Sequence, residues 1–178
     1  MGMFSKMIHV APVDLSVDLS KIDPEILQRI FSGTLDEEND KEMTLGELKE
    51  NYYESRLYGY LLPRALKEWQ DFLLAIGKQH PDVKEIEFHF TYEDGDVPYY
   101  FHLDNENKNV TFGMGVHDHH LYYDESDLDS DDEDNRPIFN ETKYLAIYKD
   151  LMKNDPSHFK VQTFDEMINN SLNKRRRL

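Results

Sequence analysis

Three runs between residues 84 and 116 alternate apolar and polar side chains with period two, and this alternation constrains the fold more than any other feature of the 178-residue chain. The first run sets Ile86, Phe88, Phe90 and Tyr92 on one side and Glu85, Glu87, His89 and Thr91 on the other. The second groups Val97, Tyr99, Phe101 and Leu103 opposite Pro98, Tyr100 and His102. The third groups Val110, Phe112, Met114 and Val116 opposite Thr111, Gly113 and Gly115. Glu93-Asp94-Gly95-Asp96 and Asp104 to Asn109 have turn composition. One register satisfies all three runs. Folding about Asp94-Gly95 sets Phe90 against Tyr99 and Phe88 against Phe101, and folding about the second turn sets Phe101 against Phe112 and Tyr99 against Met114. A one-residue slip in either hairpin would mix the two faces, so the pattern predicts an antiparallel meander. Pro98 lacks an N–H to give Thr91, which favours a four-residue first loop closed by Tyr92 and Val97.

The same register places Glu87 beside His102, His89 beside Tyr100, and Tyr100 across from Gly113. The plainest expectation for this polar face is a solvated sheet surface with an aromatic ring lying over a glycine. The sharper ones are a binding surface, or an acid–base cluster of Glu87, His89, Tyr100 and His102 in which Glu87 orients His102.

Helical spacing surrounds the meander. Asp23-Pro24 gives an N-cap and first helical position for a helix to about Phe31, which stops near Gly33. Thr34 to Glu42 reads as an acidic loop. Thr44 and Glu47 form a capping box opening a helix to about Tyr58, with Leu45, Leu48 and Tyr52 on one side. Over Leu62 to Gln79, the positions Leu62, Leu66, Trp69, Leu73 and Ile76, widened by Phe72, make an apolar stripe that predicts packing on the aromatic sheet face, with Trp69 in the core. Met7 to Val13 reads as a short strand that Pro12 confines to an edge or an end. Two more helices are predicted, at about 141–153 with Tyr144, Leu145, Tyr148, Leu151 and Met152 on one face, and from Phe164 to about Leu172 behind a Thr163–Glu166 capping box. The expected class is α+β: an antiparallel meander of three or more strands with helices packed on one face. Residues 1–173 form a single domain with an acidic loop at about 124–136, followed by a basic tail at 174–178.

Composition narrows the function. The formal net charge is −16, and without Lys174, Arg175, Arg176 and Arg177 the rest of the chain stands at −20. Such a surface repels nucleic acid and favours a basic protein partner. With no cysteine, disulfides and thiolate metal sites are excluded. No apolar run approaches the roughly 20 residues needed to span a bilayer, and the N-terminus lacks a signal-peptide apolar core. No membrane contact and a cytoplasmic location are expected.

Two segments invite a metal. An extended His117-Asp118-His119-His120 projects two imidazoles to one side, and a third ligand could complete a zinc site, but the His-Glu-x-x-His pattern and other zinc spacings are absent. Asp127, Asp129 and Asp131 copy the opening ligands of a calcium loop, yet Asp132 stands where the sharp turn needs glycine and Ile138 where the bidentate glutamate belongs. No cofactor is expected. Asp124, Glu125, Asp127, Asp129, Asp131, Asp132, Glu133 and Asp134 make eight acids in eleven residues, a mutually repelling segment that can act as a spacer or as a docking strip for a basic partner.

The order helix, meander, acidic loop, helix is similar in outline to the small acidic immunity proteins of bacterial toxin systems, a likeness of architecture and charge. The acid excess on a well-patterned core, with no credible catalytic set, leads in the same direction, to a binding protein, not an enzyme, that blocks a basic toxin or nuclease. Its docking residues would be the eight acids of 124–134 together with Glu87, Tyr100 and His102. The alternatives are a metal-dependent enzyme using His117, His119 and His120, and a nucleic-acid mimic whose carboxylates are spaced like phosphates.

Overall fold

A computed structural model describes residues 3–31, 35–36, 40–52, 56–57, 63–92, 98–115, 123–124, 138–155, 159–163, 166 and 169. The fold is α+β. The meander is present as β5 (Glu85–Tyr92), β6 (Pro98–Asp104) and β7 (Asn109–Gly115), which occupy the middle of a six-stranded antiparallel sheet. Beside β5 lies β1 (Met3–Ala11), whose first two residues pair with β4 (Arg56–Leu57), and beside β7 lies β10 (Phe159–Thr163). Every facing pair predicted from the alternation is found: Phe90 with Tyr99, Phe88 with Phe101, Phe101 with Phe112, Tyr99 with Met114. Thr91 faces Pro98 as expected, while the loop between them and Val116 lie outside the described residues. In the second turn Asp104 Oδ1 accepts the amides of Glu106 and Asn107, and Lys108 takes a positive φ of 54° to close the hairpin.

The aromatic face of the sheet is covered by α1 (Pro24–Phe31), α2 (Leu45–Asn51) and α3 (Pro63–Gln79). Trp69 of α3 stacks on Phe101 at 4.9 Å and meets Phe90 edge-on at 5.1 Å, so it is the core residue its spacing predicts. Asp23 Oδ1 accepts the Glu25 amide to start α1, and both hydrogen bonds of the Thr44–Glu47 capping box are made. An ion pair from Arg29 to Glu68 joins α1 to α3.

Three local expectations change. The α2 helix stops at Asn51 instead of running to Tyr58. The Tyr52 amide falls back on the Lys49 carbonyl, and its ring is buried against Phe31 and Phe90, which frees Arg56–Leu57 to pair with β1. The acidic stretch after α1 ends not as loop but in β3 (Glu42–Thr44), which pairs with β2 (Ser16–Asp18). The strand near the N-terminus begins at Met3 and lies inside the sheet, with Pro12 just past its end. Of the helix expected from Phe164 to Leu172, only Glu166 and Asn169 are among the described residues.

A fourth helix, α4 (Glu141–Asn154), packs on the opposite face of the sheet from α1–α3, making three layers. The expected solvated surface is therefore a second core: Tyr100 is 1 % exposed and His89 0 %. Among the described residues, no helix is long and apolar enough to cross a membrane.

Candidate functional site

The space between the sheet and α4 gathers polar side chains that the period-two pattern aims away from the aromatic core. β5 supplies Glu87 and His89, β6 supplies Tyr100, and β1 supplies His9, which faces His89 across the ladder. At Ile8 a register shift in β1 inserts one extra residue, so that Ile8 joins Tyr100, Tyr144 and Tyr148 in the apolar part of this layer. α4 supplies the two tyrosines one turn apart. Asn140 caps the helix, its Oδ1 accepting the Lys143 amide at 2.9 Å.

Tyr144, His89, Glu87 and Tyr148 form one hydrogen-bonded chain, and Tyr100 bonds separately to α4. His89 Nδ1 lies 3.0 Å from the Tyr144 hydroxyl, and His89 Nε2 lies 3.4 Å from Glu87 Oε2. Tyr148 donates to Glu87 Oε1 at 3.2 Å, and Tyr100 donates to the Met152 sulfur at 3.7 Å. Both ring nitrogens of His89 are thus engaged, Nε2 donating to the Glu87 carboxylate and Nδ1 paired with the Tyr144 hydroxyl. The rings are layered as well: Tyr100 stacks on His89 at 5.3 Å, and Tyr148 meets His89 edge-on at 4.6 Å.

Burial works against the Glu87 charge, but the hydrogen bond and charge of His89, the charge of His102 and the Tyr148 hydroxyl outweigh it, so its carboxyl titrates below the usual range. Burial, then the Glu87 charge, pushes the Tyr100 and Tyr148 hydroxyls up. His9 is pushed down, first by burial, then by His89, with Lys49 and Lys149 adding to the effect and Glu87 opposing it. Both carboxylate oxygens of Glu87 and both ring nitrogens of His89 therefore have partners inside the fold. Chemically the cluster is a clamp: it holds α4 to the sheet through groups that a bare apolar contact would leave unpaired.

Of the residues singled out from the sequence, Glu87, His89 and Tyr100 are brought into this cluster. Register does place Glu87 beside His102, but the carboxylate bonds His89 and Tyr148, while His102 Nε2 sits 3.5 Å from Glu85 Oε1. The idea of Glu87 orienting His102 is replaced by Glu87 orienting His89. Asp124 is described only as backbone, in the two-residue β8 (Tyr123–Asp124) that pairs with β9 (Ile138–Phe139). Glu125, Asp127, Asp129, Asp131, Asp132, Glu133 and Asp134 lie outside the described residues, as do His117, His119 and His120. Among the described residues no group of three His, Asp or Glu side chains could hold a metal ion.

His9, Tyr144 and Tyr148 were not marked as site residues by sequence reasoning. The signal that could have found them is the pair of tyrosines at i and i+4 on an otherwise apolar stripe, since a buried tyrosine needs a polar partner for its hydroxyl. No family model matches the chain, and neither does any curated protein or solved structure.

Proposed function

We propose that this chain is an acidic, cytoplasmic binding protein of the immunity type, which occludes a basic partner such as a toxin or nuclease by charge and shape complementarity. The observation that carries the reading is how the charge is distributed. Residues 12–51 hold eleven acids against four bases, and residues 124–134 hold eight acids and no base. Residues 141–178 reverse the sign, with eight bases against five acids. Asp14, Asp23, Glu25, Asp36, Glu42, Glu47 and Glu50 are all exposed in the part of the fold that holds β2, β3, α1 and α2. A fixed field of one sign steers a cationic surface into contact and disfavours wrong partners.

Docking is assigned to Asp124, Glu125, Asp127, Asp129, Asp131, Asp132, Glu133 and Asp134 and to the partly exposed His102, whereas Glu87, whose two carboxylate oxygens are engaged by His89 and Tyr148, belongs to the clamp. Tyr100, being buried, offers no docking surface. The self-contained hydrogen bonding around Glu87 and His89 supports a role in holding α4 over catalysis at that place. The reading is tested by affinity capture at low salt. Partners of high isoelectric point released by added salt are expected, and recovery of acidic or uncharged partners alone would contradict it. Competition between the captured partner and duplex DNA separates a nucleic-acid mimic from an ordinary inhibitor. The second reading, a metal-dependent enzyme using His117, His119 and His120, is decided by elemental analysis of untagged protein, through the presence or absence of a bound transition metal.

A further inference from the structure

A cavity of about 200 Å³ opens between the turn at Leu19–Lys21, α1 and the segment that leads into β3. Buried Leu19 and Ile22 and half-buried Leu27 and Leu35 give it an apolar lining. Asp36, Asp40 and Lys41 line it too. The two aspartates are tied together, the Asp36 amide donating to Asp40 Oδ2 at 2.8 Å and the Asp40 amide to the Asp36 carbonyl at 2.7 Å. The Leu19 amide donates to the Lys41 carbonyl at 2.9 Å, which fixes this segment against the turn. The stretch 18–42 that supplies every lining residue carries eight acids against three bases.

We propose that this cavity seats an apolar side chain of the cationic partner, an aromatic or branched aliphatic residue flanked by lysine or arginine. The inference rests on the reading of this chain as an acidic binder of a cationic partner, and it places an anchor point among the exposed acids of residues 12–51. Charge alone gives steering with little residence. A side chain buried in a preformed apolar cavity supplies the desolvated centre around which charged contacts become selective. The carboxylates beside the cavity match basic neighbours of that side chain, and a like-charged neighbour would be repelled.

The test uses the full chain and two fluorescein-labelled peptides, Lys-Arg-Phe-Arg-Lys and its counterpart with alanine at the centre. Fluorescence anisotropy is expected to show the phenylalanine peptide binding about tenfold or more tightly than the alanine peptide, the share that burying a large apolar side chain contributes. Gln28→Trp, at an exposed position lining the cavity, fills the opening without changing charge. It should bring the two peptides within about twofold of each other and leave the alanine peptide unaffected. Equal binding of both peptides by the unmodified protein, or an advantage that survives Gln28→Trp, overturns the cavity while leaving the charge reading intact. Failure of both peptides to bind at low salt overturns both. Self-association in sedimentation that Gln28→Trp abolishes would give the cavity to a second copy of the chain and so overturn the proposal.

Discussion

Gly113 lies directly beneath the Tyr100 ring, and a Cβ built there would stand 2.1 Å from Tyr100 Cε1. The ring has little room to yield, because His89 stacks on it and Tyr148 meets it edge-on at 5.1 Å. Gly113→Ala should therefore cost about 1–3 kcal/mol in chemical denaturation, the range for overpacking a filled interior. Pairing it with Tyr100→Leu should recover part of that loss in a double-mutant cycle, whereas strictly additive effects would show the contact to be unimportant. A second close approach tests the other core. Asn105 Nδ2 lies 2.7–3.1 Å from the carbonyls of Gly77, His80 and Val83, joining the end of α3 to the β6–β7 turn. Asn105→Asp faces those three carbonyls with a carboxylate and should destabilise more than Asn105→Ala, which itself should cost about 1–3 kcal/mol. Equal melting temperatures for the two variants would refute that role. At this scale the Tyr100–Gly113 contact was legible, since register alone sets the ring opposite the glycine. The Asn105 clasp was not, because a turn asparagine looks the same whether its amide meets solvent or buried carbonyls.

At the scale of elements, α4 is held by groups whose protonation matters. His9 is held below its ordinary value of 6.5, so between the folded and the unfolded value the unfolded chain binds more protons, and stability falls as pH drops through about 6.5. Glu87 is held below its ordinary value of 4.5, so its contribution is complete above that pH and is lost as pH falls through the lowered folded value. Thermal melting followed from about pH 8 to about pH 3 should thus show a plateau, a first decline beginning near 6.5 and a second below 4.5. His9→Asn should shrink the first decline and Tyr148→Phe should lower the plateau by about 1 kcal/mol or more, with the amides of α4 exchanging faster than those of α3. A flat profile down to the second decline would remove His9 from the account. The meander was readable because three independent runs had to agree on one register. The position of α4 was not, because an apolar stripe says that a helix packs but not on which side of a sheet. The alternation of β5 and β6 also looks the same whether its polar side meets water or a tyrosine-bearing helix. Strands of two or three residues such as β2, β3 and β4 carry too few positions for a period to show, and the arrest of α2 comes from Tyr52 turning into the core, a tertiary effect that local spacing does not encode.

For the whole molecule, three layers give a rigid frame on which acid and base are unequally shared along the chain, the excess of acid lying in residues 12–51 and 124–134 and the excess of base after residue 141. The class of fold and the charge were both legible without coordinates, whereas docking geometry depends on which carboxylates share a surface, and composition is silent on that. Reversing charge at Asp14, Glu25 and Glu50, all exposed, should weaken association with a basic partner by about tenfold or more through a slower on-rate, with the melting temperature changed little. Lysines introduced at three exposed positions of α4, Thr142, Ala146 and Asp150, should matter much less. The most direct measurement is the association rate constant of the captured basic partner, followed by surface-bound or stopped-flow kinetics from about 20 mM to about 500 mM salt. A fall of about tenfold or more, with dissociation changing far less, is the predicted result, and an association rate that stays level across that range would contradict the account.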